Sequence, residues 1–377
     1  MTGQDIDGKL IAEEVRNEIK EEIQGMNRKP CLAIIQVGSN AESNKSVNIK
    51  KILCKEVGIE TLEYLFPEQT SQETVLATIS ELNLNPSIDG ICFQRPPPSH
   101  INADLALQQI LPKKDVEGLH PLNIANIINT RIISENSNSL DWILNDGNNH
   151  LACLPMACLE LLRRIGVNLD GEDVVIIGRS NRVSLPLSLL LTHCNATVTT
   201  VHSSTRRIHE IIKRSTIVIT SIGKPNTIKA SWLKPGAIVI DLGTTPTITD
   251  KGLVLLGDCD YEECKEVVSY ITPPGQAGGL GSLSFAMMLK NILIASKTSS
   301  DFDFIQLTSQ KIINPKRTTI RIDNNNVTKS QPPPPPLPPS INFPRPPPPP
   351  PTMGFPMPPP PPTPAFFPPP PPPFPSV

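Results

Sequence analysis

The chain has 377 residues, and its 34 Lys+Arg against 36 Asp+Glu leave a formal net charge of −2, without the basic excess that grips nucleic acid. Proline is concentrated at one end, taking 28 of the 46 positions from Pro332 to Val377; a segment so poor in backbone donors and in side chains to bury cannot build a packed core. The remainder, roughly 300 residues, exceeds one ordinary core, so two domains are expected.

Apolar residues first recur every four positions at Ile11, Val15, Ile19 and Ile23, one face of a helix. CLAIIQV (31–37) is a continuous apolar run of the kind buried in a parallel sheet. Helix-like 42–57, strand-like 60–66, helix-like 71–84 and strand-like 88–93 follow, which is a βαβ rhythm with helices on the faces of a parallel sheet. A polar stretch, 136–150, separates this half from the next, and 155–165 reads as a helix able to bridge the two. The rhythm restarts with strands at 174–177, 197–201, 217–220 and 237–241, a weaker fifth at 253–256, and helices near 183–193 and 205–214. This is the plan of a dinucleotide-binding domain, and a last helix near 283–296 leads back toward the first half. The expected α/β architecture is therefore a catalytic domain over 1–150, a Rossmann-like NAD(P)-binding domain over 151–298, and a disordered linker and polyproline tail over 299–377.

The eight cysteines lie mostly in apolar runs with no C-x-x-C pair, as reduced core cysteines do, and they make a poor metal set. The opening MTGQDIDGKL carries neither signal-peptide nor transit-peptide features. No apolar run approaches the ~18 residues of a membrane span. A soluble, cytoplasmic protein is expected, with no membrane and no nucleic-acid partner.

Three places can carry chemistry. GRSNRVS (178–184) joins a strand to a helix, so Gly178 and the backbone after it could cradle a pyrophosphate, although G-x-G-x-x-G is absent and an ordinary βα turn reads the same way. Arg179 could reach a phosphate. The next strand ends in HSSTRR (202–207), where Ser203 and the arginines suit the 2′-phosphate of NADP and an acid would suit NAD. In the first half, Ser46 and Lys50 stand one helical turn apart and would share a cleft, where desolvation would lower the lysine pKa and fit it for acid/base work. On pattern alone, the plainer reading of Lys45, Lys50, Lys51 and Lys55 is a solvated helix face. Gln94 falls at the C-terminal end of a strand, where open parallel sheets meet ligands. Asp115 and Glu117 in KKDVEG are either ligand contacts or exposed loop acids.

Taken together, IDGKLIAEEVRNEI, LAIIQVGSNAESN with Lys50, DGICFQ, KDVEGLHPLN, VVIIGRS, IGKP, WLKPGAIVIDLG and YITP resemble the methylenetetrahydrofolate dehydrogenase/methenyltetrahydrofolate cyclohydrolase family, from about Ile6 to Ala295. The likeness looks greatest to the dehydrogenase/cyclohydrolase domain of the eukaryotic trifunctional one-carbon synthase. The resemblance implies two α/β domains flanking a cleft, NADP as cofactor, tetrahydrofolate derivatives as substrates and a homodimer through the second domain. It places the catalytic lysine on Lys50, its glutamine partner on Gln94, a substrate-side serine on Ser43, the pterin-holding acid on Glu117, and NADP contacts on Arg179, Ser180 and Ser203.

The family pattern is broken at several positions. The tyrosine that stacks on the folate is Ser46 here, forfeiting a contact worth ~1 kcal/mol or more. KDVDG has become KDVEG, P-C-T-P-x-G has become ACLPMA, and the glycine ending the cofactor turn is Ser184, expected to push helix and strand apart. The closing TPVPGGVGPMT reads TPPGQAGGLGSLS, two residues longer. The proline runs favour extended polyproline II, a ligand for SH3, WW, EVH1 or profilin-type grooves, or else form an inert extension. Two functions follow: a working dehydrogenase/cyclohydrolase, or a catalytically degenerate relative that scaffolds partners through its tail.

Overall fold

Strand β1 (Gln4–Asp5) opens the chain and leads into α1 (Gly8–Gln24). Asp7 starts that helix by accepting from Lys9 N and Leu10 N, satisfying two of its orphan donors. Its Ile11, Val15, Ile19 and Ile23 are all buried, as their spacing requires. Then come β2 (Cys31–Val37), α2 (Ala41–Val57), β3 (Glu60–Phe66), α3 (Gln72–Leu84) and β4 (Gly90–Phe93). The three strands form one parallel sheet in the order β3-β2-β4, with every residue of β2 buried at its centre. Fully buried Asp89 pins the start of β2, accepting from Cys31 N at 2.8 Å and from Arg28 Nη2 at 2.6 Å.

Short α4 (Ala103–Gln109) and α5 (Pro121–Asn129) complete the first lobe. α6 (Cys153–Arg164) passes into the second, with residues 155–162 wholly buried. There β5 (Asp173–Ile177), α7 (Ser184–His193), β6 (Thr197–Val201), α8 (Ile208–Arg214), β7 (Ile217–Thr220) and β8 (Ile238–Asp241) alternate as expected. β9 (Thr245–Thr249), β10 (Gly252–Leu256), α9 (Tyr261–Lys265), β11 (Tyr270–Ile271) and α10 (Leu280–Ile312) finish the fold. The second sheet runs β1-β11-β8-β7-β5-β6, all its pairings parallel. This computed structural model describes residues 2–129, 140, 143–144, 150–249, 252–275 and 278–312, with the backbone alone at 249 and 299–312. The expectations for the polyproline tail fall outside the described residues.

Three expectations change. The fifth strand forms, over 252–256, but outside the parallel sheet: it closes an antiparallel hairpin with β9, and the place beside β8 goes to β11, with β1 at the edge beyond it. Gln4–Asp5, placed by sequence in the first domain, pairs with β11 and belongs to the second sheet, so the boundaries 1–150 and 151–298 do not divide the sheets cleanly. The polar stretch 136–150 is not only a separator: Leu140, Ile143 and Leu144 are buried in the large core shared by α1, α6 and α10. Polar neighbours hid three apolar anchors at helical spacing.

α10 starts near the expected position, continues past it and ties the lobes together. It packs along α1 and α6, and Asn291 Nδ2 donates to Val116 O and Leu151 O, both at 2.9 Å. Glu160 of α6 accepts from Arg163 and Arg164, and Arg164 reaches on to Glu14 and Glu18 of α1. Two buried aspartates knit the loops at the C-terminal edge of the second sheet. Asp241 accepts from the backbone of Gly243, Asp258 and Cys259, and Asp258 from Ile222, Lys224 and the Thr220 hydroxyl. The IGKP, IDLG and GD stretches are thus one hydrogen-bonded unit.

Candidate active site

A cavity of 340 Å³ opens between the C-terminal end of the first sheet, the turn after β5 and the N-terminal part of α10. Lys50 lies in its wall because α2 buries a stripe of Ser43, Val47, Lys50, Cys54 and Val57, spaced by three and four residues. Lys45 and Lys55 lie on the exposed side of the helix, so the solvated-face reading holds for them and fails for Lys50, which is 4% exposed. Lys50 Nζ donates to Gln94 Oε1 at 2.8 Å. Gln94 is held at both ends: its backbone N donates to Ile35 O, and its Nε2 donates to Arg95 O at 2.7 Å, fixing which end of the amide faces the lysine.

The electrostatics correct one expectation. Burial does oppose the Lys50 ammonium, but the neighbouring Cys92 sulfur and the Glu117 carboxylate favour it, and the net direction is upward. Lys50 is therefore a cation at neutral pH in the free protein. Burial and the Glu117 charge push the Cys92 thiol up to about 11, and the Cys153 thiol rises well above its usual range for the same reasons. Neither sulfur is a thiolate at neutral pH.

Glu117 lines the cavity and faces Arg95, with Arg95 Nη2 3.6 Å from its Oε2. The pairing is loose. Arg95 Nη1 and Glu117 Oε2 are both buried without a hydrogen-bond partner among the described residues, so the site holds unspent polar capacity. Gly118 makes this wall possible. Its φ is +67°, and a side chain there would put Cβ 2.2 Å from Leu151 O, where the 150–153 segment crosses.

Two expected substrate contacts stand behind the wall. Asp115 is neither a cavity residue nor an exposed loop acid: it is buried, accepts from His120 N at 2.7 Å and Asn123 Nδ2 at 3.0 Å, and so anchors the loop that carries Glu117. Burial raises its pKa, the hydrogen bonds opposing. Ser43 is buried on the same stripe as Lys50, its hydroxyl without a hydrogen-bond partner among the described residues, and does not line the cavity. Ser46 does line it. Sequence reasoning missed Arg95, Arg182, Phe285 and Met288, which also form the wall. Arg95 directly follows Gln94 and Arg182 lies inside the 178–184 turn already singled out; Phe285 and Met288 gave no signal beyond an apolar helix.

The residues expected to meet NADP gather at the ends of β5 and β6. Gly178 has φ +138°, and a Cβ there would lie 2.8 Å from Ser221 O and 2.9 Å from Ser184 Oγ. The room left by the missing side chain is what the Ser184 hydroxyl occupies, so the serine is absorbed at the turn. Ser180 Oγ accepts from Arg182 N at 3.2 Å and shapes the turn. Arg179, Ser203, Arg206 and Arg207 are exposed. No acid stands between His202 and Arg207, and Thr205 Oγ1 fastens that segment by accepting from His202 N.

A lysine–glutamine pair in one parallel α/β lobe, facing the nucleotide-binding edge of another across a cavity, defines a two-domain NAD(P)-binding enzyme. Comparison with known proteins gives the class its family. Residues 6–117 match the catalytic domain of tetrahydrofolate dehydrogenase/cyclohydrolase, and residues 152–300 match the NAD(P)-binding domain of the same enzymes. The chain belongs to this family. It is 42% identical over 304 residues to bifunctional protein FolD 2 of Arabidopsis thaliana, covering 78% of this chain and 96% of the relative. Among solved structures, FolD from Campylobacter jejuni is 34% identical with a TM-score of 0.69, covering 78% of this chain and 99% of its own. The Trypanosoma brucei enzyme, solved with NADP cofactor and an inhibitor, is 32% identical with a TM-score of 0.69 and covers 80% of this chain and 99% of its own.

Proposed function

We propose that the chain oxidises 5,10-methylenetetrahydrofolate with NADP and hydrolyses the methenyl product to 10-formyltetrahydrofolate; the Campylobacter jejuni relative is named a bifunctional methylenetetrahydrofolate dehydrogenase/cyclohydrolase, and the Trypanosoma brucei one was solved with NADP. The observation that carries this is the buried Lys50–Gln94 hydrogen bond of 2.8 Å in the wall of the 340 Å³ cavity. A buried ammonium is costly and is kept where its charge is used. That cost weighs against the degenerate-scaffold reading, since a chain released from catalysis gains nothing by keeping it.

The nucleotide edge fits NADP by its own chemistry. Gly178, at φ +138°, makes the tight turn at the end of β5, and Arg179, Ser203 and Arg206 offer exposed donors with no acid among them to repel a 2′-phosphate. Bound there, NADP supplies the hydride acceptor for the methylene carbon. The chain's own groups do the rest. Glu117, drawn from its loose pairing with Arg95, holds the pterin. Lys50 begins as an ammonium fixed by Gln94. The methenyl group is itself cationic, so its arrival beside Lys50 drives the lysine proton off. The neutral amine takes a proton from the water attacking the methenyl carbon. That proton passes to the departing ring nitrogen as the C–N bond breaks, and the adduct's hydroxyl loses its own proton to solvent as it becomes the formyl C=O, which stays on the other nitrogen.

The test is a spectrophotometric assay of the full chain that follows NADP-dependent oxidation of 5,10-methylenetetrahydrofolate and, separately, hydrolysis of the methenyl compound. Turnover of both is expected. A folded protein that binds NADP and turns over neither would overturn the proposal. A cytoplasmic location and a homodimer through the second lobe go with this reading, on the family resemblance alone; cell fractionation and light scattering on the full chain check them.

A further inference from the structure

Among the described residues, one aromatic side chain lines the cavity, and it is not where the family resemblance puts one. On α2, one helical turn before Lys50, stands Ser46, in the position of the family's stacking tyrosine, and it presents only a hydroxyl to the cavity. On the first turns of α10, which packs on α2, Phe285 lines the same cavity. Phe285 is partly buried, seated against the large core, and still reaches the cavity surface. An aromatic ring fastened on one side and open on the other is what a planar ligand stacks on, because little side-chain entropy remains to be lost. The other apolar wall residues, among them Leu119, Leu154, Val183 and Met288, offer no flat π surface.

We infer that Phe285 is the aromatic surface against which the folate's planar ring system packs in this chain, taking over the work of the residue replaced by Ser46. The stacking contact has moved from the helix that carries the lysine to the helix that closes the other side of the cavity. This explains how a folate site tolerates Ser46 and why the closing segment is rebuilt: the altered 272–284 loop leads directly into Phe285. A contact of this kind is worth about 1 kcal/mol beyond its buried area, or about fivefold in affinity.

The inference rests on the folate reading above, and the experiment separates the two. In the full chain, Phe285→Leu keeps most of the volume and removes the π face. The KM for 5,10-methylenetetrahydrofolate and the dissociation constant of tetrahydrofolate should both rise about fivefold, while the KM for NADP stays as in the parent. Phe285→Trp keeps an aromatic face and should hold the parent values, which keeps the question open to measurement if the leucine variant folds poorly. Adding Ser46→Tyr to Phe285→Leu should recover most of the loss, whereas in the parent it should gain little. A folate KM unmoved in Phe285→Leu overturns the inference, and so does a tryptophan variant as impaired as the leucine variant. An equal gain from Ser46→Tyr in both backgrounds overturns the exchange of roles. If the parent neither turns over nor binds any tetrahydrofolate, the folate reading itself fails and the assignment of Phe285 falls with it.

Discussion

The two halves of the site are built on opposite principles. The Lys50–Gln94 pair is buried, hydrogen-bonded from both sides and backed by the Asp115 anchor. The edge proposed to take NADP, a lobe away, is a row of exposed side chains, with Arg179, Ser203 and Arg206 in the turns that follow β5 and β6. Proton transfer needs groups already in place, and burial supplies that at the cost of desolvation. A large polyanion can gather exposed donors as it binds, and leaving them in water until then costs nothing. On the proposed function, the folding core therefore specifies the chemistry, and the surface specifies the cofactor.

The contrast yields predictions that can break it, starting with the largest effect. Lys50→Met should lower cyclohydrolase turnover by about a hundredfold or more, the usual worth of a positioned acid/base group, with thermal stability unchanged or raised because a buried charge is gone. Unchanged turnover would show that the buried pair is structural. The second concerns stability behind the same wall. His150 is buried, its Nδ1 3.0 Å from Asp115 O, and burial depresses its pKa from 6.5 to about 4. Between those values the unfolded chain binds the proton and the folded chain does not. Stability is thus complete above pH 6.5 and falls as the pH drops toward 4, by about 3 kcal/mol at most. Thermal melts across that range should show the loss, and His150→Gln should flatten it. An equally steep profile in the variant would mean that another group carries it.

At the exposed edge the effects should be smaller and selective. Ser203→Asp should raise the KM for NADP about tenfold through repulsion of the 2′-phosphate, and improve use of NAD. Its folate KM should not move; a change there would break the division between the two halves. Smallest of all, Arg182 Nη2 stands 3.7 Å from Asp104 Oδ1, with both side chains half-exposed or more. Asp104→Asn should shift unfolding free energy by less than about 0.5 kcal/mol, and a larger change by denaturant titration would show that this surface pair carries real load.

Composition, apolar runs and motif order by themselves determined most of the fold. Continuous runs such as 31–37 and 217–220, short and rich in β-branched residues, read as interior parallel strands, and both lie buried where their pattern puts them. The same reading named Lys50, Gln94 and Glu117, whose motifs are local. Even the burial of Lys50 was written in the stripe of Val47, Cys54 and Val57, though a row of lysines disguised it. What the sequence did not determine was anything that depends on meeting a distant segment. Asp115 and Glu117 are two residues apart and looked equivalent, yet one faces the cavity and the other is consumed by His120 and Asn123. The direction of the Lys50 shift hung on a carboxylate and a sulfur that only the folded chain brings beside it. Gln4–Asp5 joined a sheet whose other strands begin more than 160 residues away, a pairing no local pattern encodes. Phe285 became a wall of the cavity because α10 returns across both lobes. Periodicity reports which face of an element is buried; what it is buried against is settled by packing alone.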